Sequence, residues 1–254
     1  MPSEVFVDGV LNFREVAGLA TSDGRRLRSG LLYRSGSYAG ITKTGVGQLA
    51  ALGITQVVDL RNLRERAAFG FDRIEAAGVL VAGIRHSLEL GELAAILRAE
   101  AATPADVVRI MEDTYRKLPG YFAEIYGEVF RACLTHSGPV AVNCSVGKDR
   151  TGVAIALLLS ALGIPREAII AEYALTNAQS DAIRAHLRGR TRGRIYATLS
   201  DEKLAAVLRA DPRYLTAMFD AVDAAAGSAK GFVTDILGLD AAAMARLEAR
   251  FLTP

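Results

Sequence analysis

Two hydrophobic periods alternate along the first two-thirds of the chain. Short apolar runs bounded by turn residues predict strands at Leu31 to Ser35, Gln56 to Leu60, Gly78 to His86 and Pro139 to Asn143. Between and after them, apolar positions recur at helical spacing. Thr42 is placed to cap a helix that ends near Gly53. Phe122, Ile125, Tyr126, Val129, Phe130 and Cys133 trace one face of a helix over Tyr121 to Leu134. An apolar helix over Thr151 to Leu162 stops at Gly163 and Pro165, and further helical patterns cover Arg166 to Thr176, Asp181 to Arg188, Asp201 to Arg209, Pro212 to Ala226 and Asp240 to Leu252. Asn12 to Asp23 reads as an irregular entry segment closing in the turn Ser22-Asp23-Gly24-Arg25. Residues 88–119 are rich in Ala and Leu, with a helix start at Thr103-Pro104, and read as a mostly helical insertion.

Strands alternating with helices argue for an α/β fold, a mostly parallel central sheet flanked by helices. No repeat or linker interrupts the pattern. A single unit over residues 1–254 is expected, with a helical lid insertion at about 88–119 and a helical part at about 180–254.

Composition narrows this only a little. Hydrophobic residues are 51% of the 254 and charged residues 23%, enough for a core and against general disorder. A net charge of +2 gives no reason to expect a nucleic-acid or membrane partner. Met1 to Val10 lacks the apolar run of a secretory signal, and the longest apolar stretch, Val153 to Leu159, is too short to span a bilayer; a cytoplasmic location is the default. Two cysteines, Cys133 and Cys144, fit a reduced compartment and have no metal-knuckle spacing, so neither metal nor cofactor is expected.

The chemistry concentrates in Val140-Ala-Val-Asn-Cys-Ser-Val-Gly-Lys-Asp-Arg-Thr-Gly152. A buried strand leads to Cys144, and five residues later Arg150 opens a helix. A short loop between a strand end and a helix N-terminus turns its backbone N–H groups inward as a nest for an anion, and the helix dipole adds positive potential there. Ser145, Val146, Gly147, Lys148, Asp149 and Arg150 would hold the phosphate. A thiol in such a field is set to act as a nucleophile. Arg150 offers a planar fork for two phosphate oxygens. Gly147 relieves a tight backbone, Gly152 would let the helix pack close to the sheet, and the Thr151 hydroxyl is placed to donate to the thiolate. A Walker A reading of Gly147-Lys148 fails, because Asp149 replaces the required Ser or Thr and Val142 replaces the first Gly.

Cys144 to Arg150 resembles the cysteine-x5-arginine signature of the protein tyrosine phosphatase superfamily. The longer string is similar to a bacterial and fungal branch of tyrosine and dual-specificity phosphatases with Lys-Asp-Arg in the loop. Three further blocks extend the resemblance over roughly residues 10–180: Asn12 to Gly18 with Gly30 to Ser35; Leu52-Gly53-Ile54, Val57 to Arg61 and Glu65-Arg66; and Tyr173 to Asn177. The resemblance implies a metal-independent hydrolase that passes through a cysteinyl phosphate. Its substrates would be phosphotyrosine, with phosphoserine, phosphothreonine and phosphoinositides as extensions. Alternatives are a phosphoinositide phosphatase and a non-catalytic phosphate-binding module. The chain departs from the pattern at Asn143, where the family usually has a His that helps ionise the thiol, and more mildly at Glu15 and Ala17.

The general acid stays open among Asp149, beside the phosphate and used by the resembled branch, Asp59, at the C-terminal end of a neighbouring strand, where ligands of open α/β sheets bind, and another acid from the insertion. Lys148 would meet acidic substrate groups or point to solvent. Arg184, Arg188, Arg190, Arg192 and Arg194 read as a solvated helix end or as a basic rim. Cys133 reads as core, and Tyr115, Tyr121 and Tyr126 as packing. His86, His136 and His186 are scattered and nominate no site.

Overall fold

Five strands form one sheet in the order β1-β2-β5-β3-β4: β1 (Arg14–Glu15), β2 (Leu32–Ser35), β3 (Gln56–Asp59), β4 (Leu80–Ala82) and β5 (Val140–Asn143). The structure is a computed structural model, which describes residues 5–88, 97, 99, 101–189, 196 and 198–254. Strands β2, β5, β3 and β4 run parallel; β1 pairs antiparallel with β2, Arg14 opposite Arg34. The mostly parallel sheet expected from the alternation is therefore present, with one antiparallel edge that the entry segment did not announce.

β5 is hydrogen-bonded on both sides, and every one of its residues is buried. That explains its unbroken apolar run: helices cover both faces of a parallel sheet. Side chains still alternate. Leu32, Val58, Val140 and Val142 enter a larger core that reaches from Val16 to Leu252, while Tyr33, Val57 and Ala141 enter a smaller one with Leu49, Phe71 and Ile74.

The helix Asp149–Ala161 lies in the larger core, with Thr151 to Leu159 all buried, and begins two residues before the apolar pattern does. The helix Pro104–Tyr121 starts where Thr103-Pro104 indicated, with a reciprocal cap between Thr103 and Asp106. It packs against the helix Pro212–Ala226, which Asp211 caps and Gly227 ends in the left-handed region. Near the end of the chain, Leu252 bridges to Leu27 and the Thr253 N–H donates to the Arg26 carbonyl.

Several elements differ from the pattern. The Gly78 to His86 strand contracts to Leu80–Ala82, since Gly83 (φ 132°) comes so close to the Asp59 carbonyl that a Cβ would lie 2.4 Å from it. Arg166 to Thr176 divides into an α-helix ending at Ala174 and a 3₁₀ turn, Leu175–Gln179. Helices Leu63–Ala68 and Asp72–Glu75 are too short to show a period in sequence. Of the insertion, residues 89–96, 98 and 100 lie outside the described residues, as do Arg190, Arg192 and Arg194 of the basic run. Among the described residues, no helix is long and apolar enough to cross a membrane.

Candidate active site

The loop after β5 sits at the centre of the C-terminal edge of the sheet. Cys144 follows β5 directly, and the helix Asp149–Ala161 follows Lys148 without a side-chain cap, so its first N–H groups remain available to a ligand. The loop rests on the end of β2. Gly147 has φ 73°, and a Cβ there would lie 2.6 Å from the Ser35 carbonyl carbon; a Cβ on Gly36 would lie 2.7 Å from that of Val146. Both positions need glycine for close approach and Gly147 also for its backbone angle.

A cavity of about 420 Å³ opens onto the loop. Cys144, Ser145, Val146, Lys148, Asp149 and Arg150 line its base, and Glu65 and Asn62 one side. Met111, Phe122, Ile183, Leu187, Val207 and Leu208 add apolar surface to its lining. The covering residues thus come from the helices Ser180–Gly189 and Asp201–Leu208 as well as from Pro104–Tyr121.

Arg150 is held in a two-pronged pair. Its Nη1 and Nη2 donate to Glu65 Oε2 and Oε1 at 2.6 and 2.7 Å, and Nη1 also to the Leu60 carbonyl at 3.3 Å. Burial works against the guanidinium charge, but the Glu65 hydrogen bonds and the surrounding negative groups prevail and raise its pKa. Glu65 is fixed in turn by a capping box with Asn62 at the start of the helix Leu63–Ala68. Only the resemblance had drawn attention to Glu65; its local signal is Asn62-Leu-Arg-Glu65 directly after a strand.

Asp149 Oδ1 accepts from the Tyr115 hydroxyl at 2.9 Å, and Tyr115 meets the Tyr173 hydroxyl at 2.7 Å. Burial, with Asp149 nearby, lifts both phenols well above their usual range, so each stays protonated and able to donate. Tyr115 therefore does more than pack. Lys148 does neither of the things expected of its side chain. Only 2% exposed, its ammonium donates to the Val207 carbonyl and lies 3.2 Å from Asp149 Oδ1 and 5.6 Å from the Tyr214 ring centre. The segment after Leu199 has folded over it, leaving its backbone N–H for the loop.

Asp59 lies opposite Asn143 in the sheet register, beside the start of the loop, but its carboxylate is taken up by arginines. It is fully buried, accepts from the Arg61 N–H, Nε and Nη2, and pairs with Arg66 Nε at 3.1 Å; the cavity lining does not include it. Its acceptor positions face two arginines, which is no arrangement for delivering a proton to a substrate. Thr151 Oγ1 is buried without a hydrogen-bond partner, so the expected donation to Cys144 is not made. Gly152 makes room for the Tyr173 ring, 3.1 Å from where its Cβ would be, and for Arg34 of β2, whose Nη2 would lie 3.6 Å away. Asn143 is buried, its Nδ2 3.4 Å from the Cys144 carbonyl and its Oδ1 unpartnered. Cys133 is core, its thiol pushed up to about 12 by burial. Arg184 and Arg188 both pair with Asp201.

A cysteine, a fork-held arginine and an aspartate on one strand–loop–helix turn invite comparison with known phosphatases. The family model described as "Tyrosine phosphatase family" matches residues 5–253. The chain belongs to that family. A predicted tyrosine-protein phosphatase of Cupriavidus necator is 32% identical, the match covering 92% of this chain and 84% of the relative. The triple specificity protein phosphatase PtpB of Mycobacterium tuberculosis is 30% identical, covering 89% of this chain and 91% of the relative. A tyrosine-protein phosphatase of Nostoc commune is 26% identical over 56% of this chain and 47% of its own length. The chain is thus a hydrolase of the tyrosine phosphatase type, and its phosphatase match extends to the C-terminal third, where the resemblance by motif had been weakest.

Proposed function

We propose that this phosphatase works through a cysteinyl-phosphate intermediate. The thiolate of Cys144 attacks phosphorus, a P–S bond forms and the P–O bond to the leaving group breaks. Asp149 gives its proton to the departing oxygen. Water then attacks the same phosphorus, Asp149 takes the water's proton, and inorganic phosphate and the thiolate are released. Arg150 and the backbone N–H groups of Ser145 to Arg150 hold the equatorial oxygens, whose charge is largest in the transition state. The observation that carries this reading is that Cys144, Asp149 and Arg150 line the base of one cavity at an uncapped helix N-terminus.

Phosphotyrosine is the favoured substrate, since Met111, Phe122, Ile183 and Leu187 can enclose an aryl ring above the loop. Activity on phosphoserine and phosphothreonine follows the printed name of the Mycobacterium relative, and phosphoinositide activity is the more distant extension. The inward turn of Lys148 removes the loop's lysine ammonium as a contact for a polyanionic headgroup. Turnover of p-nitrophenyl phosphate is expected to survive EDTA and to vanish in Cys144→Ser. Turnover that persists in that variant sinks the Cys144 assignment.

A further inference from the structure

Behind the phosphate loop, on the side away from the cavity, lies a buried polar cluster that the chemistry above does not use. Asn12 Nδ2 donates to the Val146 carbonyl at 3.0 Å and to the Gly147 carbonyl at 3.1 Å. Arg34 Nη2 donates to the same Gly147 carbonyl at 2.8 Å. Both donors are braced. Arg14 Nη1 donates to Asn12 Oδ1 at 2.6 Å, which fixes the Asn12 amide with its nitrogen toward the loop. Glu172 takes Arg14 Nε on Oε1 and Arg34 Nη1 on Oε2, and Arg14 Nη2 reaches Thr176 Oγ1 at 3.1 Å. Asn12 is also the one non-glycine residue with positive φ, 50°, among the described residues, a conformation that its neighbours must hold in place.

The peptide plane turns these contacts into a statement about the cavity. In a planar trans peptide, the carbonyl of one residue and the N–H of the next point in opposite directions. Drawing the Val146 and Gly147 carbonyls backward therefore aims the Gly147 and Lys148 N–H groups forward, at the phosphate. Without donors behind them, two buried carbonyls would be left unpaired, and a flipped peptide would present oxygen to an anion. Charge acts the same way. Two arginines share one glutamate, which leaves one positive charge buried directly behind the loop.

We propose that Asn12 and Arg34, braced by Arg14 and Glu172, are positioning residues that set the anion-binding orientation of the phosphate loop. This rests on the loop being the phosphate site. Asn12→Asp replaces the amide with a group of the same size that also tolerates positive φ, but puts an acceptor opposite two carbonyls. Its dissociation constant for inorganic phosphate, read by calorimetry, is expected to rise more than about tenfold, and kcat/KM to fall about 10²-fold, the scale seen when one oxyanion donor is lost. Arg34→Lys keeps the charge without the fork, and a severalfold loss in both is expected. If Asn12→Asp does not fold, Asn12→Gly keeps the backbone angle and removes the donor, together with the Oδ1 that accepts from Arg14. Thermal unfolding is followed alongside. Variants with a lower melting point but wild-type phosphate affinity would show a purely structural cluster and overturn the proposal. If wild type binds phosphate but hydrolyses no phosphomonoester, the catalytic reading fails alone and the affinities still judge the clamp. If wild type binds no phosphate, both fail.

Discussion

On either side of β5 the protein buries the same triplet, two arginines sharing one carboxylate. On the β3 side Asp59 holds Arg61 and Arg66; on the β2 side Glu172 holds Arg14 and Arg34. Asp59 and Arg34 are each fully buried, so burial does not separate the two. The carbonyls they reach do. Arg61 and Arg66 donate to Phe69, Arg61 and Asp59 carbonyls and tie the segment after β3 to itself. Arg34 donates to the loop that starts at Cys144. A buried ion cluster becomes part of a site through what its spare donors touch.

The largest effect expected from breaking this comparison is on the acid. Asp149→Asn should slow hydrolysis of a substrate with a poor leaving group by about 10²–10⁴-fold. Asp59→Asn should leave that rate unchanged while costing about 3–5 kcal/mol in urea unfolding, since it strips the buried Arg61 and the half-buried Arg66 of their partner. Equal rates for Asp149→Asn and wild type would reject Asp149 as the acid.

A smaller effect belongs to the arm that reaches Arg150. Glu65→Gln keeps the helix cap but loses the charge that fixes the fork, worth about 1.5–3 kcal/mol for hydrogen bonds between charged groups. KM and phosphate affinity should weaken together by about ten- to a hundredfold, with full activity in the variant counting against the fork.

The smallest effect is the acid sensitivity of the Glu172 cluster. Burial alone would raise the Glu172 carboxyl, but Arg34 and Arg14 hold it below its ordinary 4.5. A carboxyl depressed on folding contributes stability that is present above the unfolded value and is lost as pH falls through the folded one. The urea midpoint should therefore drop below about pH 4.5, and less steeply in Glu172→Gln. Identical slopes would show that this carboxyl carries no acid sensitivity.

Much of this was legible in sequence because its signals are local. Cys144, five residues and Arg150 between a buried strand and an apolar helix are a pattern readable within one short stretch of chain. Thr42, Thr103 and Pro104 mark their helix starts through hydrogen bonds that span only a few residues. Arg34 in a buried strand and Glu172 on an apolar helix were the visible anomalies, charged residues in an apolar pattern, yet nothing in their spacing says that they meet.

The sequence by itself determined the sheet class and placed Cys144 and Arg150 at the two ends of one loop, since period and spacing are properties of neighbours along the chain; it left the acid open. Only the tertiary structure decided the direction in which each ionisable group is spent. It turned Lys148 under the chain near Val207, and Asn12 and Arg34 onto the back of the loop. Those outcomes depend on contacts between residues up to 135 positions apart, and a buried charge takes whichever partner the packed core places within reach.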